Sequence, residues 1–124
     1  MSNKIGYVIP EITENKVTEA KNVMGSRNLV LEIVGSGTAG GTIKLVGSIS
    51  PDMPNFGATA GKGNAYEFIQ MIDLQDGSAI DGDDGITFTG DDVRLLEVNA
   101  NSLQYIGFIA SVTGGEFNIR VQGK

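Results

Sequence analysis

Carboxylates are the residues in this chain whose type and spacing could do chemistry. The stretch DLQDGSAIDGDDGITFTGDD, residues 73–92, holds seven of the chain's fifteen acidic residues (Asp73, Asp76, Asp81, Asp83, Asp84, Asp91 and Asp92) and no lysine or arginine. Two kinds of chemistry use such groups: oxygen-rich loops that bind calcium through roughly six to eight ligands, and carboxylate pairs that flank a glycosidic bond. The helix–loop–helix calcium motif needs oxygen ligands at loop positions 1, 3 and 5, glycine at 6 and glutamate at 12. Counted from Asp81, the third position is Asp83, but the fifth is Gly85, the sixth Ile86 and the twelfth Asp92, so the motif fails. A looser oxygen cage drawn from Asp76, Asp81, Asp83 and Asp84 is left as a weak calcium candidate. The favoured reading is a set of turns at Asp76-Gly77, Asp81-Gly82 and Asp84-Gly85, because aspartate bonds its own backbone and glycine accepts positive φ. A third reading is an acidic patch used for association.

Other reactive constellations are missing. The chain has no cysteine and no histidine, which removes disulfides, thiol nucleophiles, thiolate metal sites and the commonest general base. An Asp81/Asp83 pair would lie on a surface loop without tryptophan platforms for a sugar, so no enzyme is expected and no catalytic residue or cofactor is assigned. GSGTAGG (35–41) lacks the lysine of a phosphate-binding loop and leads into a strand instead of a helix. Sugar-stacking aromatics are reduced to Tyr7, Tyr66 and Tyr105, each inside an alternating strand pattern where packing is the expected use.

Bulk properties narrow the partners. A net charge of −6 with a pI near 4.4, and no basic cluster, argues against nucleic acid. No apolar run is long enough for a signal-peptide core or for the roughly 20 residues of a membrane span, so synthesis and folding in a cytoplasm are expected, with no membrane partner. A length of 124 residues suits one domain, and eighteen glycines imply many turns.

The elements that would carry these residues alternate with period two. Ile5, Tyr7 and Ile9 suggest a short strand stopped at Pro10; residues 13–24 fit either a helical face (Val17, Ala20, Val23) or extended chain. Residues 29–34 and 42–49 read as a hairpin around the 35–41 glycines, and residues 66–74 and 93–98 as further strands. Residues 103–112 and 117–122 read as a second hairpin around Thr113, Gly114, Gly115 and Glu116. Residues 51–63, with Met53 and Phe56 as anchors or exposed contacts, form a long loop. Seven or eight short strands with at most one short helix predict an all-β, antiparallel β-sandwich, jelly-roll-like, over residues 28–124, with residues 1–27 as an N-terminal arm or edge strand.

Three segments carry a family resemblance: LVLEIVGSGTAGGTIKLVGSIS, AYEFIQMIDLQDGSAIDGDDGI and VRLLEVNANSLQYIGFIASVTGGEFNIRV. Their matching residues are 46–48, 73–78, and 98–105 with Gly114 and Gly115. Together they resemble the small β-sandwich structural proteins of tailed bacteriophages, among them head-decoration proteins. The resemblance spans about three quarters of the chain, leaves out residues 1–27, and rests on turn and core motifs. It implies a virion component: a non-enzymatic decoration or cement protein that self-associates and binds the major capsid protein on the outside of the lattice. A tail, collar or fibre-associated adaptor and a glycan- or receptor-binding module are the alternatives. Partner contacts are expected from the N-terminal segment (Ile5, Tyr7, Ile9) and the 51–63 loop (Met53, Phe56), because irregular segments on a rigid scaffold carry most contacts.

Overall fold

A computed structural model describes residues 5–123. Its elements are all strands: β1 (Ile5–Ile12), β2 (Lys16–Val17), β3 (Lys21–Asn22), β4 (Asn28–Ser48), β5 (Glu67–Phe68), β6 (Met71–Asp73), β7 (Ala79–Ile80), β8 (Ile86–Phe88), β9 (Asp92–Asn99) and β10 (Tyr105–Gly123). The all-β, antiparallel expectation is met, and every strand pair is antiparallel. Among the described residues no helix is long and apolar enough to cross a membrane. Residues 13–24, open between helix and extended chain, are extended, with β2 and β3 each hydrogen-bonded to β10.

The two expected hairpins do not exist. Residues 28–48 form one strand of 21 residues and residues 105–123 one of 19, and the two pair along their whole length from Leu29↔Gly123 to Ser48↔Tyr105. The glycine-rich stretches that resembled reversals lie opposite each other in this pair, with Gly35↔Phe117, Gly40↔Gly114 and Gly41↔Val112 in register and bulges between. Positive φ at Gly37, Thr38, Gly41 and Gly115 bends both strands together. Space is as limiting as torsion there: a Cβ on Gly115 would run into the Ser36 carbonyl oxygen and approach Ala39 Cα to 2.8 Å. Inward positions in β10 are even in 106–110 and odd in 117–121, and the bulges supply that phase change.

The bend divides the sheet into two wings that share β4 and β10. On the first, β1 and β9 flank residues 117–123 and 28–35, and β6 and β7 extend the β9 side. On the second, β2 and β3 flank residues 105–110, while β5 and β8 pair with residues 41–47. Leu29, Leu31 and Ile33 of the first wing and Ile43, Leu45, Ile106 and Phe108 of the second belong to one buried cluster. Both wings therefore contribute to a single core, where each buried Leu, Ile or Phe contributes about 1.5–3 kcal/mol of transfer free energy.

Two smaller expectations change. β1 continues past Pro10 to Ile12 through a register shift that includes Glu11 at φ 48°. Proline is tolerated because β1 is an edge strand, where a missing N–H breaks no second ladder. The strand foreseen over residues 66–74 is split into β5, paired with β4, and β6, paired with β9, so it crosses from one wing to the other. Residues 5–27 lie on this chain's own sheet, with Ile12 and Val23 in its core.

Candidate functional site

The acidic stretch is built from turns. Asp76 Oδ1 accepts the backbone N–H of Ser78 at 2.9 Å and its hydroxyl at 2.7 Å, and Asp81 Oδ1 accepts the N–H of Asp83 at 2.8 Å. Gly77 and Gly85 take positive φ, 77° and 68°. The Ser78 bonds, hydroxyl first, hold the Asp76 carboxyl below its ordinary range. Asp91 Oδ1 accepts the N–H of Ala39 at 2.9 Å, pinning the bend of β4, and Asp92 Oδ1 accepts the N–H of Val93. Asp76, Asp81, Asp83 and Asp84 are all exposed. Among the described residues no three acidic side chains converge in a way that could hold a metal ion. Chemically, this stretch caps backbone and presents negative charge.

Asp73 differs from the other six. It is buried at 4% exposure, receives the guanidinium of Arg94 in an ion pair, and accepts the N–H of Gln75 through Oδ1 at 2.9 Å. Its own N–H and C=O close the turn with Ser78 and Gly77. The pair ties the end of β6 to β9.

Four of the five residues foreseen as partner contacts, all but Ile9, fall at two open grooves. Ile5 and Tyr7 line a groove of about 550 Å³ along the β1 edge, with Gly6, Val8 and the end of β10. Ile9, like Ile5 and Tyr7, is half-buried against the main core. Met53 and Phe56 line a second groove of about 410 Å³, where residues 17–20 meet residues 53–57. The two segments that the sequence marked as separate contact regions are thus neighbours there. They play different parts, because Met53 is exposed whereas Phe56 is a buried anchor. The Phe56 ring covers Gly107, where a Cβ would collide with it, and meets Tyr66 edge-on at 5.2 Å. With Ala20, Val46 and Tyr105 it makes a second apolar cluster on the outside of the second wing.

The fold has a solved counterpart. No protein-family model matches this chain, and no curated protein sequence matches it. The crystal structure of the SPBc2 prophage-derived protein YomS superposes with a TM-score of 0.70 at 16% identity, covering 98% of this chain and 94% of that one. The two chains share a fold. The overlap includes nearly all of both chains, and of the two readings of residues 1–27, arm or edge strand, β1 lies at the edge of the sheet.

Sequence reasoning missed two features. The Asp73–Arg94 pair joins residues that no motif spacing links, and Arg94 alternates inward at a position where a buried charge looks like an error of phase. The roofing of Gly107 by Phe56 left one trace, a lone aromatic in a glycine- and proline-rich loop.

Proposed function

We propose that this chain is a non-enzymatic structural protein of a tailed-bacteriophage virion, of the capsid decoration or cement type, which self-associates and binds the outside of the capsid lattice. The observation that carries the reading is the fold shared, end to end, with a prophage-derived protein. The turn and core motifs that resemble phage head-decoration proteins support it independently.

The pairing order supports the finer fold assignment as well. One set runs β1, β10, β4, β9, and the other runs β2/β3, β10, β4, β5/β8. We read this as a jelly-roll-like sandwich in which two of the usual sheet-to-sheet corners are turned inside continuous strands. Such a body is rigid, and its grooves and loops at residues 17–20 and 53–57 are available to a lattice. Each copy bridging two capsomers would add binding energy to the closed shell and oppose internal pressure from packaged genome.

The test uses particles that carry the protein and particles depleted of it. Depleted particles should lose heat and osmotic resistance, and adding back purified chain should restore both. Equal resistance with and without the chain rules out cementing. A reconstruction that places the chain on the tail or collar makes it an adaptor instead.

A further inference from the structure

The two wings differ in how their outer faces are finished. On the second, the chain roofs its own sheet: Phe56, Tyr66 and Ala20 cover Val46, Phe68, Tyr105 and Ile109. On the first, no described segment of the chain supplies an equivalent cover, and exposed apolar side chains stand among a few charged ones.

Register shows which side chains share that face. Val8 lies opposite Arg120, Arg120 opposite Glu32, and Glu32 opposite Leu95, whose carbonyl accepts the N–H of Leu74. One row along, Val34 is opposite Val93; on the other side, Val30 is opposite Glu97. Val8, Val30, Leu74, Val93 and Leu95 are five of the nine exposed large hydrophobics among the described residues, so more than half of these are gathered on this one surface. Val93 and Leu95 are 58% and 46% exposed, although each is paired within a regular, unshifted ladder.

We propose that this outer face, centred on Leu95, Val93 and Val30, is the surface through which two copies of the chain associate around a twofold axis. This deepens the self-association part of the function proposed above and rests on that part alone; capsid binding is not assumed. Charge favours a second copy as the occupant. The face carries one cation, Arg120, with the carboxylates Glu32 and Glu97 near it and Glu116 at the end toward the bend, and among the described residues Arg120 forms no salt bridge even with its cross-strand neighbour Glu32. A twofold operation brings one protomer's Arg120 to the other's carboxylates twice over, offsetting the repulsion between two chains of charge −6. Size also fits. Four strands, β1, β9 and the paired halves of β4 and β10, about 4.8 Å apart and about eight residues long at about 3.4 Å per residue, make a flat patch of roughly 500 Å². With the relief of its side chains this approaches the roughly 800 Å² that each partner of a stable interface contributes.

Sedimentation of the purified full chain tests this. Wild type should sediment at twice the 13.0 kDa chain mass, and Leu95→Lys at the single mass with an unchanged circular dichroism spectrum. Arg120→Glu should weaken the dimer at least tenfold, and Arg120→Glu combined with Glu32→Arg and Glu97→Arg should restore it, a rescue that general misfolding cannot imitate. If Leu95→Lys does not fold, the charge series decides alone. A monomeric wild type overturns the proposal, as does a dimer indifferent to both changes or one broken instead by Met53→Lys on the other wing. Cosedimentation with capsids separates the two readings: a dimer through this face that leaves capsids bare removes only the capsid role, and a monomer that coats capsids removes only the interface.

Discussion

Arg94 of β9 donates its Nη2 to the carboxylate of Asp73 at the end of β6, and the acceptor is buried while the arginine side chain is 23% exposed. The pair spans two strands whose ladder is only two residue pairs long, Ile72↔Glu97 and Asp73↔Leu96, so it adds a side-chain tie to those backbone bonds and to the buried Met71.

Removing one member leaves the other half-dry charge uncompensated, a loss of several kcal/mol when burial is complete. Because Arg94 retains some solvent, Asp73→Ala should cost about 2–3 kcal/mol in urea unfolding. Arg94→Met should cost less than Arg94→Ala, since it keeps the packing of the arginine stem. Equal stability of wild type and Asp73→Ala would show that the pair contributes nothing.

The bend of the long strands gives a second prediction. Gly115→Ala places a Cβ against the Ser36 carbonyl at φ 66° and should destabilise by about 3 kcal/mol, combining overpacking with backbone strain. Gly61→Ala, with nothing within 4 Å of the new Cβ and no positive φ, should be neutral or slightly stabilising. Thermal melts of the two variants compare them directly; similar losses in both would mean that the close approach at Gly115 is not what matters.

The same glycines show where the sequence was legible. Alternation marked residues 29–34, 42–49, 93–98, 103–112 and 117–122 as strand, and in the last of these it identified the inward residues Phe117, Ile119 and Val121, all buried. It could not tell a reversal from a bend, because glycines with positive φ serve both, and the difference lies in what stands opposite. Gly40 faces Gly114 across some seventy residues of sequence. The aspartate turns were legible because an Asx turn is local, as at Asp76 and Ser78. Asp73 was grouped with them because its partner is 21 positions away.

Asp76 offers a pH test. Its carboxyl titrates below the ordinary aspartate range because Ser78 donates two hydrogen bonds to the charged form. The stability this lends is present above the unfolded aspartate pKa and is lost as pH falls through the lower folded value. Carboxyl titration followed by NMR should show an Asp76 midpoint that moves up in Ser78→Ala, while the circular dichroism spectrum is unchanged. No movement would mean that the hydroxyl is not the main cause. Adding calcium during the same titration should leave the Asp76, Asp81, Asp83 and Asp84 signals in place; a shared displacement would revive the metal site.

Tyr7 gives the opposite pH dependence. Its hydroxyl is buried with no hydrogen-bond partner among the described residues, Lys21 Nζ stands 5.5 Å from its ring centroid, and burial pushes its pKa above the ordinary tyrosine value. The folded chain therefore holds this proton more tightly than the unfolded chain. The associated stability is whole below the unfolded pKa of about 10 and declines as pH rises above it. Tyr7→Phe keeps the ring and its contact with Lys21 while removing an unsatisfied hydroxyl. It should leave stability at neutral pH unchanged or raised by up to about 1 kcal/mol, and it should flatten the alkaline decline. Urea unfolding of both proteins at neutral pH and above the tyrosine pKa supplies the comparison. A Tyr7→Phe protein less stable at neutral pH by more than about 1 kcal/mol would show that the hydroxyl is bonded after all.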